Sequence, residues 1–166
     1  MAEGTRYRMP LKRRREGKTD YRERLKLLKS GKVRAVVRPS NKHIRLQFIN
    51  YDREGDEVVV TSTSEHLEEF GWKGYGFNTP ASYLVGFLGG KRAIDEGIEE
   101  AVLDLGLNHP ESGGKFFAVL NGILDAGLDV PHDPDILPDE DRIKGEHIDE
   151  ETSEMFEEVK SRLEEL

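Results

Sequence analysis

The chain has 166 residues, 36% of them hydrophobic, which is enough for one domain with a buried core. It contains no cysteine, which excludes disulfide bonds and thiolate metal sites and favours a reducing compartment such as the cytoplasm. The net charge of -8 argues against a uniformly basic protein, and the most apolar run, Tyr83 to Gly90, is too short to cross a bilayer.

The charge is distributed very unevenly along the chain. Residues 1–45 carry 16 Lys and Arg against 4 Asp and Glu, a net of +12, whereas residues 46–166 carry 9 against 29, a net of -20. Residues 1–18 have few apolar side chains, so we expect them to become ordered only against a partner. This asymmetry indicates a basic arm that binds nucleic acid, and a merely solvated charged terminus is the alternative.

A short helix is predicted to follow this basic segment. Thr19 or Asp20 can cap its N-terminus, and Gly31 can end it. Apolar side chains recur on one side at helical spacing, at Tyr21, Leu25 and Leu28. The other sides are basic and carry Arg22, Arg24, Lys26 and Lys29. The helix therefore extends the predicted basic arm to residue 31.

Two strands joined by a short polar loop, Val33–Arg38 and His43–Asn50, are predicted to form a hairpin. A register that pairs Arg38 with His43 produces one apolar face, with Val37 opposite Ile44, Ala35 opposite Leu46 and Val33 opposite Phe48. The reverse face then presents polar side chains, namely Arg34, Arg38, His43, Arg45 and Gln47. This face is either a binding surface or simply a solvated one.

The middle of the chain alternates strands and helices. The remaining predicted elements are a strand at Val58–Thr63, a helix from Thr79 to about Glu96, a strand at Ala101–Leu105 and a helix from Phe116 to Leu124. In the first of these helices, Gly86, Gly89 and Gly90 are expected to allow close approach to a sheet. This order predicts an α/β fold with a mixed sheet that starts with an antiparallel hairpin and is packed by helices.

The end of the chain is acidic and interrupted by proline. Asp125 to Leu166 contains 16 acidic residues against 4 basic ones, and three prolines predict an extended connection before Asp149. A final helix is predicted from an apolar stripe, which consists of Met155, Phe156, Val159, Leu163 and Leu166. We expect this helix to dock on its own domain, or else on a neighbour. The predicted division is 1–31 for the basic arm, 32–130 for the α/β domain and 131–166 for the acidic connection and helix.

Motifs for catalysis are incomplete throughout the sequence. Gly113-Gly114-Lys115 follows a predicted strand as a phosphate loop would, but His109 and Phe116 occupy the positions that need glycine and a hydroxyl. No Gly-x-Ser-x-Gly motif occurs, and Asp104 is the only acid within the predicted strands. His132 and two nearby aspartates lie in a proline-interrupted loop without rigid ligand spacing. We therefore expect no catalytic residue, no metal site, no cofactor and no small-molecule substrate.

Six segments, in this order, are similar to a known family. They are Arg13–Tyr21 (RRREGKTDY), Val37–Ile44 (VRPSNKHI), Phe77–Tyr83 (FNTPASY), Leu103–Leu107 (LDLGL), Gly114–Phe117 (GKFF) and Asp125–His132 (DAGLDVPH). Together they resemble the archaeal and eukaryotic form of large-subunit ribosomal protein eighteen, called protein five in eukaryotes. The similarity spans nearly all of residues 7–137, and the basic run that ends in Gly-Lys-Thr-Asp-Tyr is its most specific part.

The resemblance implies a non-enzymatic, structural constituent of the large ribosomal subunit, located in the cytoplasm. It implies binding to 5S rRNA, attachment of that RNA to the central protuberance, and contact with neighbouring 23S-type rRNA and adjacent proteins, including the other 5S-binding protein. The residues that it suggests for RNA contact are Arg13, Arg14, Arg15, Lys18, Thr19, Tyr21, Arg22, Arg38, Asn41, Lys42, His43 and Arg45. The charge and strand patterns add Arg24, Lys26, Arg34 and Gln47 to the predicted RNA-binding set. A protein-interaction adaptor that uses the acidic C-terminal helix remains the alternative.

Overall fold

A computed structural model describes residues 4–166, so the first three residues of the predicted basic arm lie outside the described part. The helices are α1 (Lys12–Arg15), α2 (Tyr21–Leu28), α3 (Thr79–Asp95), α4 (Lys115–Asp125), α5 (Glu140–Lys144) and α6 (Glu150–Glu164). The strands are β1 (Val33–Pro39), β2 (Ile44–Asn50), β3 (Glu57–Thr63) and β4 (Ala101–Asp104). Two 3-10 turns span His66–Phe70 and Pro134–Ile136. Within residues 4–166, no helix combines the length and the apolar character needed to cross a membrane.

The four strands form one mixed sheet in the order β3-β2-β1-β4. β2 pairs antiparallel with both β1 and β3, whereas β4 joins the other edge of β1 in parallel. The long connection between β3 and β4 contains α3, which packs on β2 and β3. The predicted α/β class, with a mixed sheet that starts with a hairpin and is packed by helices, is therefore confirmed.

The hairpin register differs from the predicted one by two residues. Arg38 pairs with Arg45 instead of His43, because Pro39 still belongs to β1 and pairs with Ile44. The Ser40 hydroxyl accepts a hydrogen bond from the His43 backbone N–H at 3.0 Å and closes a loop of four residues, 40–43, which has the predicted length but begins one residue later. Since side chains alternate along a strand, a shift of two residues changes every partner but moves no residue to the other face. The predicted faces are correct although the predicted pairs are wrong.

Glycines bring α3 and α4 into close contact. A Cβ at Gly86 would overlap the backbone carbonyl of Val119, and a Cβ at Gly122 would overlap that of Tyr83. Gly90 likewise faces Ile123 and Ala126 of α4. Only Gly89 faces the sheet as predicted, with Leu46 and Ser62 as its neighbours. The expectation was wrong for the other two glycines because α3 lies between the sheet and α4, and it packs against both.

The acidic C-terminal helix α6 packs on α3. The Asp149 side chain caps it by accepting a hydrogen bond from the Thr152 N–H at 2.6 Å. The side chains of Phe156, Val159 and Leu163 are almost completely buried, and the Phe156 ring lies 5.5 Å from that of Tyr83. The end of the predicted stripe, Leu166, is exposed. The glutamates of α6 consequently face solvent.

The segment before α6 is more ordered than the predicted extended connection. The 3-10 turn at Pro134–Ile136 is capped by the Asp133 side chain, and α5 follows it. Ile143 anchors α5 because its side chain is buried, and Gly145 ends the helix in the left-handed conformation. The proline spacing indicated an extended chain before Asp149. The structure instead contains a short helix there, which docks through the buried side chain of Ile143.

Candidate nucleic-acid interface

The sheet has one apolar face and one polar face. The apolar face, which includes Ala35, Val37, Leu46 and Phe48, is buried in the core beneath the helices. The opposite face carries Arg34, Arg38, Arg45 and Gln47. The helices α3, α4 and α6 contribute side chains to this core, whereas the N-terminal arm and the loops before β3 and after β4 line a groove beside the polar face.

The arm is shaped by short-range hydrogen bonds. Asp20 caps α2 because its carboxylate accepts hydrogen bonds from the backbone N–H groups of Arg22, at 2.8 Å, and Glu23. These backbone bonds are the main reason that the pKa of Asp20 is lowered. Arg13 Nε donates to the Thr19 hydroxyl at 2.8 Å, which ties α1 to the start of α2. Lys18 and Lys26 form exposed ion pairs with Glu16 and Glu23, respectively. The predicted cap at Thr19 or Asp20 is thus formed by Asp20.

Three of the predicted contact arginines in the arm stay available to a ligand. Arg14, Arg15 and Arg22 are exposed, and none of them forms an ion pair with another residue in the range 4–166. Arg14 and Arg22 border a small hollow together with Thr19 and Tyr21. The arm therefore presents free guanidinium groups beside a half-buried aromatic ring.

The tip of the β1–β2 hairpin carries the polar residues Asn41 and Lys42, both exposed. The backbone carbonyl of Asn41 accepts a hydrogen bond from the Tyr75 hydroxyl, which steadies the loop. His43 Nδ1 lies 3.0 Å from the Ser64 hydroxyl, and its Nε2 lies 3.8 Å from a Glu65 carboxylate oxygen. The tip is therefore fixed by its neighbours while its side chains still reach solvent.

Further along the polar face, Arg45 and Gln47 differ in how tightly they are held. Arg45 is exposed and has no ion-pair partner in the described part of the chain. Gln47 Nε2 donates to the Thr61 hydroxyl of β3 at 3.2 Å and is only partly accessible. Arg45 is consequently the freest cation on the strands of this face.

The expectation that Arg34 is presented to solvent was wrong. The residue is 2% exposed, and its guanidinium lies between two carboxylates. Arg34 Nη1 donates to Asp104 at 3.0 Å, and Arg34 Nη2 donates to Asp56 at 2.6 Å. Asp104 is close because β4 pairs in parallel with β1, and Asp56 approaches from the loop before β3. Arg34 therefore holds the polar face together and is not itself part of its accessible surface.

The same two aspartates also bind Arg24 and Arg38. Both carboxylate oxygens of Asp56 accept from Arg24 Nη2 at 2.8 Å, which fastens α2 to the loop. Arg38 Nη2 donates to Asp104 at 2.8 Å, and Arg38 Nη1 donates to the backbone carbonyls of Val37 and Asp104. We call this set, Arg24, Asp56, Arg34, Asp104 and Arg38, the arginine–aspartate network. It alternates positive and negative charges from the arm to the edge of the sheet.

The network keeps both aspartates ionised. Burial alone would raise the pKa of Asp104, but the hydrogen bonds and charges of Arg38 and Arg34 outweigh it and lower that pKa from its ordinary 3.8. Burial is opposed in the same way at Asp56, where Arg24 and Arg34 lower the pKa. Because the folded pKa lies below the unfolded one, this contribution to stability is present above about pH 4 and is lost as the pH falls through the folded pKa.

A groove of about 790 Å³ lies between the arm and the polar face. Seven of the predicted RNA-contact residues line it, namely Arg13, Lys18, Thr19, Tyr21, Arg24, Arg34 and Arg38. Asp52 and Arg53 border it from the loop before β3, and Asn108 borders it from the loop after β4. The other nine predicted residues lie outside the groove, on the arm and hairpin around it, and they are Arg14, Arg15, Arg22, Lys26, Asn41, Lys42, His43, Arg45 and Gln47.

The segments that resembled enzyme motifs have structural roles. Lys115 Nζ lies 4.2 Å from the centre of the Phe77 ring, and the Gly114 N–H donates to the Glu111 carbonyl. His132 Nδ1 lies 2.8 Å from the Val130 carbonyl, and Asp133 caps a turn. In the range 4–166, no three His, Asp or Glu side chains converge as metal ligands would. The concentration of arginines beside the sheet is therefore the main chemical feature of the described surface.

A mixed sheet with an arginine-rich polar face and a basic arm beside it is typical of a nucleic-acid-binding protein. A family profile described as "Ribosomal large subunit proteins 60S L5, and 50S L18" matches residues 5–99. The chain is 54% identical to "Large ribosomal subunit protein uL18" of Korarchaeum cryptofilum over 89% of this chain and 76% of the relative. It is 53% identical to the proteins of the same name in Methanothermobacter thermautotrophicus, over 95% of this chain and 82% of the relative, and in Halobacterium salinarum, over 90% and 82%.

The chain therefore belongs to this family of large-subunit ribosomal proteins, as the sequence motifs indicated. The family is structural and rRNA-binding, so the expectation that the chain is not an enzyme is confirmed. Membership also agrees with the predicted location in the cytoplasmic ribosome.

Proposed function

We propose that this protein binds 5S rRNA and helps to attach it to the central protuberance of the large subunit. The observation that carries the proposal is the free, exposed cations on one side of the molecule. Those that belong to the predicted contact set are Arg14, Arg15, Arg22, Lys42 and Arg45, and we call these five the basic surface. The acidic α6 packs on α3, away from the polar face of the sheet, so its negative charge is separated from the phosphates that this surface would meet.

The side chains of this region suit folded RNA. Arginine and lysine bind phosphates and position the RNA, whereas unpaired bases are recognised by stacking and by hydrogen bonds to their edges. Tyr21 and His43 offer rings that are only partly buried, and the exposed Asn41 amide can both donate and accept. The groove between the arm and the sheet provides a concave surface for a segment of RNA backbone.

Neighbours in the ribosome are part of the proposal. The basic residues before α1 can meet 23S-type rRNA while α1, α2 and the hairpin hold 5S rRNA. The exposed acidic side of α6 can face an adjacent protein, for which we infer the other 5S-binding protein as one candidate. The two sides of the molecule would then join an RNA to the rest of the subunit, which is what attachment to the central protuberance requires.

The proposal is tested by titrating the protein with 5S rRNA and with a transfer RNA of similar length. We expect tighter binding to 5S rRNA, and we expect Arg14→Ala and Arg45→Ala each to weaken it by about threefold to tenfold, because each removes a charged contact to RNA. Filter binding at two salt concentrations measures both effects. Equal, weak binding of the two RNAs, unaffected by either substitution, would leave only a non-specific basic arm.

An adaptor that acts through α6 is the alternative function, since the glutamates of this helix are exposed. Deleting residues 149–166 is a poor test because it would also expose the core around Phe156. Replacing Glu154, Glu157 and Glu151 with glutamine changes the charge and leaves the buried stripe intact. If this triple variant abolishes association with ribosomes while 5S binding is unchanged, the adaptor function is favoured.

A further inference from the structure

Two carboxylates lie within the region that we propose binds RNA. Asp56 and Asp104 line the same groove as Arg24 and Arg38 and lie among the predicted contact residues. A negative charge within about 10 Å of a phosphate repels it at ordinary ionic strength. On charge alone, removing either aspartate should therefore tighten the binding of any RNA.

The geometry of Arg38 indicates a different role for Asp104. The Arg38 side chain is 42% exposed, yet its guanidinium donates three hydrogen bonds, to the Asp104 carboxylate and to the carbonyls of Val37 and Asp104. A guanidinium has five N–H donors, so two remain for a ligand. Gly106 packs against the guanidinium, and its N–H donates to the same Asp104 carboxylate at 2.9 Å. Arg38 is thus held in one orientation at the edge of the groove.

Asp56 holds Arg24 in a comparable way. Only Nη2 of Arg24 contacts the carboxylate, and within residues 4–166 the Nε and Nη1 donors have no hydrogen-bond partner. The contact also joins the arm to the body of the protein, because Arg24 lies on α2 and Asp56 lies in the loop before β3. Arg34 pairs with both aspartates and is itself buried. The Asp56–Arg24 pair and the Asp104–Arg38 pair are therefore joined through one fixed side chain.

We propose that Asp56 and Asp104 are positioning residues for RNA recognition. They fix Arg24 and Arg38 before RNA arrives, so less side-chain freedom is lost on binding and the remaining donors point in defined directions. The negative charges of the two aspartates repel RNA in general. By fixing Arg24 and Arg38, however, they favour 5S rRNA over other RNAs. This inference rests on the proposed function, since it concerns selectivity for 5S rRNA over other RNAs.

The test compares Asp56→Asn with Glu54→Gln, which removes the same charge from the same loop. Glu54 is exposed and does not line the groove, and its carboxylate forms no ion pair or hydrogen bond among the described residues. We expect Asp56→Asn to weaken 5S binding by roughly tenfold, the lower end of the loss seen when residues that orient metal ligands are replaced. Transfer RNA binding should be unchanged or slightly tighter. Glu54→Gln should weaken neither, and Asp56→Glu should retain most of the affinity.

A double-mutant cycle shows whether Asp56 acts through Arg24. In an Arg24→Gln background, Asp56→Asn should change 5S binding by less than about twofold, because the group that it positions is absent. Circular dichroism and thermal unfolding confirm that each variant is folded at the titration temperature. If Asp56→Asn tightens both RNAs equally, or if its effect persists fully without Arg24, the positioning role is wrong. If the unchanged protein does not prefer 5S rRNA over transfer RNA, the proposed function itself fails.

Discussion

Replacing Arg14 and Arg15 with glutamine is expected to reduce the salt dependence of RNA binding substantially. Each phosphate contact contributes about 0.7 to 0.9 to the slope of log K against log salt concentration, so the slope should decrease by about 1.4 to 1.8. These two side chains are exposed and have no ion-pair partner in residues 4–166, so their charges are available to phosphates. A salt series with 5S rRNA measures the slope directly.

The matched control is Arg142→Gln with Lys144→Gln. These residues lie on α5, far along the chain from the arm, and the change alters the net charge of the protein by the same amount. If binding depends on the total charge, the slope of log K against log salt concentration decreases by the same amount in both double variants. If it depends on the basic surface, the α5 variant retains the original slope within about 0.3, and its affinity is nearly unchanged.

Replacing Arg34 with methionine is expected to destabilise the fold strongly. Removing one partner of a buried ion pair costs about 3–5 kcal/mol, because the remaining charge is left without compensation. The cost here should be about 3 kcal/mol, since Arg38 still pairs with Asp104 and Arg24 still pairs with Asp56. In a chain of this size, that loss lowers the midpoint of thermal unfolding by roughly 6–12 °C.

Arg24→Met is the matched control, because Arg24 binds the same carboxylate from a more exposed position. Its side chain is 30% exposed, whereas that of Arg34 is 3% exposed. An ion pair near the surface contributes about 0–1 kcal/mol, so the midpoint should fall by no more than about 4 °C. Equal shifts for the two variants would show that burial does not determine the strength of the arginine–aspartate network.

Local patterns predicted which face each strand residue occupies, but they did not predict its partner. Alternation placed Ala35 and Leu46 on the core face, and the structure agrees. The pairing of Arg38 depended on whether Pro39 belongs to the strand or to the loop, and both choices preserve the alternation. Helix starts were easier to predict, since the cap at Asp20 and the Thr79-Pro80 start follow from residue types within a few positions.

The arginine–aspartate network could not be predicted by local reasoning because its members are distant in sequence. Arg34 and Asp104 are 70 positions apart, and they meet only because β4 pairs in parallel with β1. One signal was present, namely a single aspartate in an otherwise apolar predicted strand. Such a residue needs a cation when it is buried, and an arginine on the neighbouring strand is the natural partner. The loop that carries Asp56 gave no comparable signal.

The most direct test of the account is hydrogen exchange of the full-length protein, measured by mass spectrometry with and without 5S rRNA. Our proposal predicts slower exchange in the arm, residues 12–29, and at the hairpin tip, residues 40–43, with no change in α5 and α6. It further predicts that transfer RNA gives little protection at the same concentration. Protection confined to α6, or no difference between the two RNAs, would contradict the proposed binding surface.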